Sequence, residues 1–473
     1  MQRIKPSLAA GALRGTWRSS SNSAARFTTL RTTRTSRPPA SQHNQFRRSP
    51  VSPLTQKRNA SSSSSSSETL AKTPLYELHL ANGGKMVPFG GFHMPVQYKD
   101  LSVSQSHAFT RERGSIFDVS HMVQRIFTGA GAAHFLQRVT PSDLERLPIH
   151  QSTLSCLLKS DGSGGIVDDT IITRLPDQAG DGGNRFYVVT NAGCRDKDNE
   201  YFDRELAKWS DRGEKVVQEQ LDGWGLVALQ GPDAEGVLAE ALADHGKVDL
   251  KKLYFGQSIY AQVKMHGMRV SSPLLISRGG YTGEDGFEIS IPGDETVEVT
   301  EAFLATGGPD RVRLAGLGAR DSLRLEAGMC LYGHDLNEEI TPVQAGLSWI
   351  IPKERRTPEA EFYGAGVIVP QLIPKSKGGA GVSERRVGLV VEGAPAREGA
   401  EIVSRPEGKK LGVVTSGCPS PTLGKNIAMG YIQDGSHKAG TEVDVVVRGR
   451  PRKAVVTKMP FVPTKYWKGT APA

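Results

Sequence analysis

Two rhythms of apolar and polar residues run along this chain, and the change from one to the other divides it. From Thr73 to Trp349 helical and strand patterns alternate. Thr73-Pro74-Leu75-Tyr76-Glu77-Leu78-His79-Leu80 predicts a first helix with a proline near its start, where the missing N–H costs nothing. Helical spacing over Asp196–Trp209 and Ala234–Leu242 predicts two amphipathic helices. The short apolar runs Phe186–Thr190 and Leu226–Gln230 predict buried strands. Beyond Trp349 the pattern shifts. Lys353-Glu354-Arg355-Arg356 is charged, and Pro374–Gly381 is rich in Lys, Gly and Ser, as a surface linker is. From Arg386 onward short strands dominate, at Val387–Val391, Lys410–Thr415, Ile427–Ile432, Glu442–Val447 and Lys453–Thr457. Turn residues separate them, which predicts a small antiparallel barrel.

Composition separates the first 67 residues from the rest. They hold twelve Lys and Arg, no Asp or Glu, and a serine run from Ser61 to Ser67. Arg-rich, Ser-rich and acid-free sequence predicts an organellar transit peptide, here with a mitochondrial matrix address and cleavage before Glu68. Without that segment 47 basic residues face 50 acidic ones, so the overall positive charge predicts no nucleic-acid partner. The remaining 400 or so residues exceed one ordinary core, and two or three domains are expected. Cys156, Cys194, Cys330 and Cys418 lie far apart with no C-x-x-C pair, which favours buried thiols over zinc or disulfides. No stretch approaches the roughly 18 consecutive apolar residues of a membrane helix.

The candidate chemistry is concentrated in two glycine-dense stretches. One is Arg278-Gly279-Gly280-Tyr281-Thr282-Gly283-Glu284-Asp285-Gly286-Phe287-Glu288; the other runs from Leu314 through Arg320 to Gly328. Glycine allows tight turns and close backbone approach to a ligand. Tyr281, Glu288 and Arg320 supply an aromatic face, a carboxylate and a guanidinium, a set suited to a flat heterocycle with a charged tail. A solvated amphipathic helix is the bland alternative for the second stretch. Asp161-Gly162-Ser163-Gly164-Gly165 lacks the Lys-Ser/Thr of a phosphate loop and the spaced acids of a calcium loop.

These stretches closely resemble the aminomethyltransferase of the glycine cleavage system, the T-protein family. Further matches are Phe117–Met122, Gly164–Asp169, Tyr187–Gly193, Leu331–Leu336, Thr415–Pro421 and Lys458–Tyr466, in order from about Thr73 to Tyr466. The resemblance implies an α+β fold: a folate-binding core of two interleaved α+β subdomains with a C-terminal antiparallel β-barrel. On that plan residues 1–67 are the transit peptide, 68–350 the core, 351–385 a linker and 386–473 the barrel domain. It implies transfer of a methylene group from lipoylated H-protein to tetrahydrofolate, a co-substrate, with other glycine cleavage proteins as partners. Neither a metal nor a membrane is expected.

Site residues follow from the same resemblance. Asp169 falls on the catalytic aspartate; Glu288, Arg320 and Tyr466 fall on substrate-binding positions. Tyr281 is expected to stack on the ring system, with Asn191, Met122 and Leu154 in the pocket wall. Asp168 is read as a structural partner, since successive strand residues point to opposite faces. His121 and His334 are read as satisfied structural histidines. The nearest alternative is a folate-binding iron–sulfur protein maturation factor. Its Lys-Gly-Cys-Tyr-x-Gly-Gln segment has no Lys or Gln counterpart in Ala327–His334. Lys353–Arg356 and Arg448–Lys453 are candidate basic docking segments for an acidic partner.

Overall fold

A computed structural model of the chain describes residues 70–357 and 359–469. The predicted transit peptide lies outside the described residues. The core is built on two sheets. The first has six strands in the order Ser258–Ala261, Leu274–Arg278, Gly286–Ile291, Gly225–Gln230, Gly114–Asp118, Val312–Ala315. All its pairings are antiparallel except the last. The second sheet is inserted between two neighbouring strands of the first. Its five antiparallel strands run Ser152–Leu158, Ile166–Leu175, Arg185–Thr190, Val123–Thr128, Val217–Gln220. The chain leaves the first sheet at Asp118, builds the second, and returns at Gly225. This insertion is the interleaving that the family resemblance implies, and the fold is α+β.

The predicted helices form at Arg195–Ser210 and Ala234–Ala241. In the first, Tyr201, Phe202 and Trp209 are buried at helical spacing and pack with Phe127 and Phe135 beneath the second sheet. Two acids, Asp198 and Glu205, share that buried face. The first helix is Tyr76–Ala81, after Pro74.

The C-terminal strands close into a six-stranded antiparallel barrel: Glu384–Val391, Lys425–Gln433, Lys410–Ser420, Glu401–Ser404, Glu442–Val447, Arg450–Thr457. Pairing of the last strand with the first completes it. Val, Ile, Leu and Ala fill its interior. The strand Glu401–Ser404 was not legible in the pattern, because four residues are too few to show alternation.

The helix Leu317–Glu326 joins this barrel to the core. It is not a solvated surface helix: Arg324 and Glu326 are buried. Arg324 donates to Asp335 (2.8 Å) and to Ser416 of the barrel, whose hydroxyl in turn donates to Asp335. Glu326 accepts from Arg111 (2.8 Å), from the Ser420 and Thr422 hydroxyls, and from the Thr422 amide. Arg111 also bonds Glu284 (2.9 Å), tying the glycine-dense loop into the same network. Burial opposes ionisation of Glu326, but hydrogen bonds from His107, Ser420 and Thr422 outweigh it and hold the carboxyl at about 2. Among the described residues no helix is long and apolar enough to cross a membrane.

A depressed pKa gives stability that is complete above the ordinary carboxylate value and is lost as pH falls through the folded value. Urea denaturation across pH is therefore expected to show the chain weakening from about pH 4.5 toward about pH 2. Glu326→Gln should be less stable at neutral pH by about 3–5 kcal/mol and lose less on acidification. Equal stability of the two proteins at pH 7 would contradict a structural role for this network.

Candidate active site

The strand Ile166–Leu175 begins where Ile166 N–H bonds the carbonyls of Asn337 and Ile340. Gly165 is required there, because a Cβ would lie 1.8 Å from the Glu338 carbonyl oxygen. Two residues further on come the paired aspartates. Asp168 is enclosed and Asp169 is half-buried. Their burial differs as strand alternation predicts, yet the carboxyls are not separated. Both converge on Asn191, at the end of the neighbouring strand. The Asn191 main-chain N–H donates to Asp168 (2.9 Å), and its side-chain amide donates to Asp168 (2.9 Å) and to Asp169 (2.8 Å). Carboxylates only accept, so the amide orientation is fixed. Burial first, then repulsion from Asp168, pushes the Asp169 carboxyl up to about 7; the Asn191 amide works against this.

Arg320, Tyr281 and Glu288 form the second part of the site. The Arg320 guanidinium lies 4.7 Å from the centre of the Tyr281 ring. Its Nη1 is buried with no hydrogen-bond partner among the described residues. Burial lowers its pKa, and Glu288 and Tyr281 partly restore it. Glu288 faces the opposite problem. Burial raises its carboxyl, and only Arg320 opposes the rise. The Tyr281 hydroxyl donates to the Cys330 carbonyl. Burial raises that phenol, and Asp169, Arg320 and Arg324 all act on it electrostatically, so it stands between the two halves of the site. Tyr466 stacks on Phe255 with ring centres 4.2 Å apart, and its phenol is raised by burial and, more weakly, by Glu288. The close approach that Gly280 and Gly286 permit is to the protein itself: Cβ atoms there would lie 1.9 Å from the Gln230 side chain and 2.3 Å from the Leu229 carbonyl oxygen.

The other expected residues fall less sharply. Met122 packs partly buried against the core between the sheets. Leu154 packs beside Cys156 and Cys330. His121 is not a satisfied histidine: it is buried, its Nδ1 has no partner, and it meets Phe89 edge-on at 5.5 Å. Burial, with Arg320 and Arg195 nearby, pushes it down to about 4, so it is neutral. His334 is exposed and bonds Glu398 (2.8 Å). The basic segment Lys353–Arg356 is not a free docking patch. Arg355 donates to the carbonyls of Gln137 and Ser142, and Arg356 to those of Ile351 and Ser348. Arg448, Arg450 and Lys453 remain exposed at a barrel hairpin. Sequence reasoning missed Asp198, although an acid at a buried helical position was visible in the spacing. Arg125 and Phe255 carried no signal.

The geometry describes an enzyme site in which a near-neutral carboxyl stands beside an aromatic–guanidinium–carboxylate set, and comparison with known proteins gives the family. Residues 75–355 match the GCVT N-terminal domain, and residues 384–463 the glycine cleavage T-protein C-terminal barrel domain. The probable mitochondrial aminomethyltransferase of Schizosaccharomyces pombe is 46% identical over 402 residues, covering 85% of this chain and 95% of that protein. The mitochondrial aminomethyltransferase of Saccharomyces cerevisiae is 46% identical over 412 residues, covering 85% and 97%. The crystal structure of glycine cleavage system aminomethyltransferase T from Bartonella henselae superposes with a TM-score of 0.73 at 38% identity, covering 85% of this chain and all of that one. The chain belongs to the glycine cleavage T-protein family of aminomethyltransferases, and these two fungal relatives are named as mitochondrial enzymes.

A carboxyl raised on folding costs stability wherever it must ionise: the cost is absent below its ordinary value and complete above its folded one. Asp169→Asn should therefore match the unaltered chain in melting temperature near pH 4 and exceed it by a few degrees above about pH 7. A lower melting temperature at pH 8 would show that Asp169 is a structural residue.

Proposed function

We propose that this site transfers the methylene of an aminomethyl group, carried on the lipoyl arm of H-protein, to tetrahydrofolate. The products are 5,10-methylenetetrahydrofolate, ammonia and dihydrolipoyl H-protein. The C–S and C–N bonds of the adduct break, and two C–N bonds form at N5 and N10 of the folate. The two amine protons displaced there leave on the thiol and on ammonia. Tetrahydrofolate supplies the accepting nitrogens; the chain supplies position and charge.

The observation that carries this reading is the buried Arg320 Nη1, which meets no hydrogen-bond partner among the described residues, beside the Tyr281 ring and acting on the Glu288 carboxyl. Buried polar groups are ordinarily partnered, and a buried guanidinium left open is a site waiting for a ligand. Glu288 accepts from the amino and ring N–H groups of the pterin. Arg320, already stacked on Tyr281, orders that wall and meets the folate's negative charge. Tyr466, Met122, Leu154 and Asn191 complete the enclosure. Asp169, held by Asn191, works near N10. Its carboxylate stabilises the cationic, iminium-like character that develops on the methylene, and it orients the attacking N5. A carboxyl that ionises near pH 7 is available to do this under matrix conditions. Lipoylated H-protein and the other glycine cleavage proteins are the partners, and the mitochondrial matrix is the compartment. Of the two basic segments, the Arg448–Lys453 hairpin is the one with side chains free for an acidic partner.

Formation of methylenetetrahydrofolate from aminomethylated H-protein tests the assignment. Asp169→Asn should lower kcat by about 100-fold or more with folate affinity retained. Glu288→Gln should instead weaken folate binding by about 10- to 100-fold. A parent that binds folate without turnover would point to a non-catalytic folate protein. An active Asp169→Asn variant would remove Asp169 from the chemistry.

A further inference from the structure

The strand that carries Asp169 does not pair evenly with its neighbour. Leu158 opposes Ile166 and Leu157 opposes Asp168, so Val167 is an extra residue, a β-bulge. Side chains alternate along a strand, and a slip of one residue sends each of them to the other face. With the bulge, Asp169 falls opposite Cys156. Leu157 and Val167 pack in the core beneath the helix Arg195–Ser210, whereas Cys156 packs with Leu154 and Cys330 on the other side of the sheet. That is the side on which the Tyr281 hydroxyl meets the Cys330 carbonyl. Paired evenly, the strand would set Asp168 opposite Cys156 and turn Asp169 toward the helix. The bulge therefore selects which aspartate is offered to the pocket.

A bulge interrupts the ladder around it, and here two side chains support it. Lys197 Nζ donates to the Val167 carbonyl and to the Tyr332 hydroxyl (2.6 Å each), and that hydroxyl donates to the Ile166 carbonyl (3.0 Å). The ammonium also lies 4.2 Å from the centre of the Tyr332 ring. Its ion pair with Glu338 is longer, at 3.5 Å, so the short bonds of this half-buried lysine go to the bulge. We propose that Lys197 is a positioning residue for Asp169: with Tyr332 it clamps the bulge at Val167, and the bulge turns Asp169 rather than Asp168 toward the pocket. The consequence for turnover rests on the proposed function; the geometry of the clamp does not. Asn191 then secures the carboxyl that the bulge has aimed (2.8 Å). The main chain sets the face, and the amide sets the orientation.

Lys197→Met keeps the apolar stem and removes the donor. In the full chain with aminomethylated H-protein, kcat should fall by about 10- to 100-fold. The KM for tetrahydrofolate should be unchanged, since Glu288 and Arg320 stand on other elements. Tyr332→Phe should act in the same direction, and the two changes together should cost little beyond Lys197→Met, because both act on one bulge. Melting temperature gives a reading independent of turnover. At pH 8, Asp169→Asn should raise it by a few degrees in the unaltered chain and leave it nearly unmoved in the Lys197→Met background, where the carboxyl is no longer held in its place. Unaltered kcat in Lys197→Met overturns the proposal, as does a rise in the KM for tetrahydrofolate in place of the fall in kcat. An identical effect of Asp169→Asn in both backgrounds does so too. If Lys197→Met does not fold, Tyr332→Phe carries the same measurements with the same readings. If the unaltered chain makes no methylenetetrahydrofolate, the function reading fails while the melting-temperature comparison still decides the clamp.

Discussion

The helix Leu317–Glu326 holds this molecule together through charges that a solvated helix would have left in water. Arg320 and Arg324 stand one turn apart on one face. The first ends over Tyr281 in the site, and the second ends in the barrel seam on Asp335 and Ser416. Glu326 then takes Arg111 from one side and Ser420 and Thr422 from the other. Paired and fully hydrogen-bonded, these ions are tolerable inside; with one partner removed, the remaining charge would be stranded. The barrel is therefore more than an appended domain. Its strand Lys410–Ser420 and the turn after it hold the helix that presents Arg320. Phe461 and Val462 bond the Glu326 carbonyl as the chain leaves the barrel toward Tyr466, so Tyr466 reaches the site from the same seam.

The pocket is built by the opposite strategy. Where the seam pairs its charges, the site leaves the Arg320 Nη1 without a partner among the described residues, and it gives Asp169 one side-chain amide N–H, from Asn191, and a repelling neighbour. Such groups are costly in the free protein, and a ligand that completes them recovers part of that cost on binding. The contrast between Glu326, held at about 2, and Asp169, held at about 7, comes from the number of donors each receives rather than from depth alone. Glu326 is buried and Asp169 half-buried. Only one is meant to change its charge.

Much of this plan was legible in the sequence, for physical reasons that differ by element. The barrel showed because its strands alternate cleanly between turns. Glu401–Ser404 escaped because four residues give no period. The helices Arg195–Ser210 and Ala234–Ala241 showed through helical spacing. That spacing also placed Asp198 and Glu205 on the buried face, although their partners are distant in the chain and could not be read. Arg324 and Glu326 looked like ordinary helix surface, since the residues that bury them arrive about ninety positions later. Lys353–Arg356 misled for a related reason: a basic run announces charge, but its capture by main-chain carbonyls is a tertiary fact. Asp169, Glu288, Arg320 and Tyr466 came from the family resemblance. The structure adds the burial and the electrostatic setting of those positions.

The pH dependence of the proposed methylene transfer, at saturating folate and H-protein, tests the role of Asp169 most directly. The kcat is expected to rise through a single limb centred near about 7, where Asp169 ionises, and the limb should be missing from whatever activity Asp169→Asn retains. A profile flat between about pH 5 and pH 9, or a limb that survives in the variant, would contradict that role.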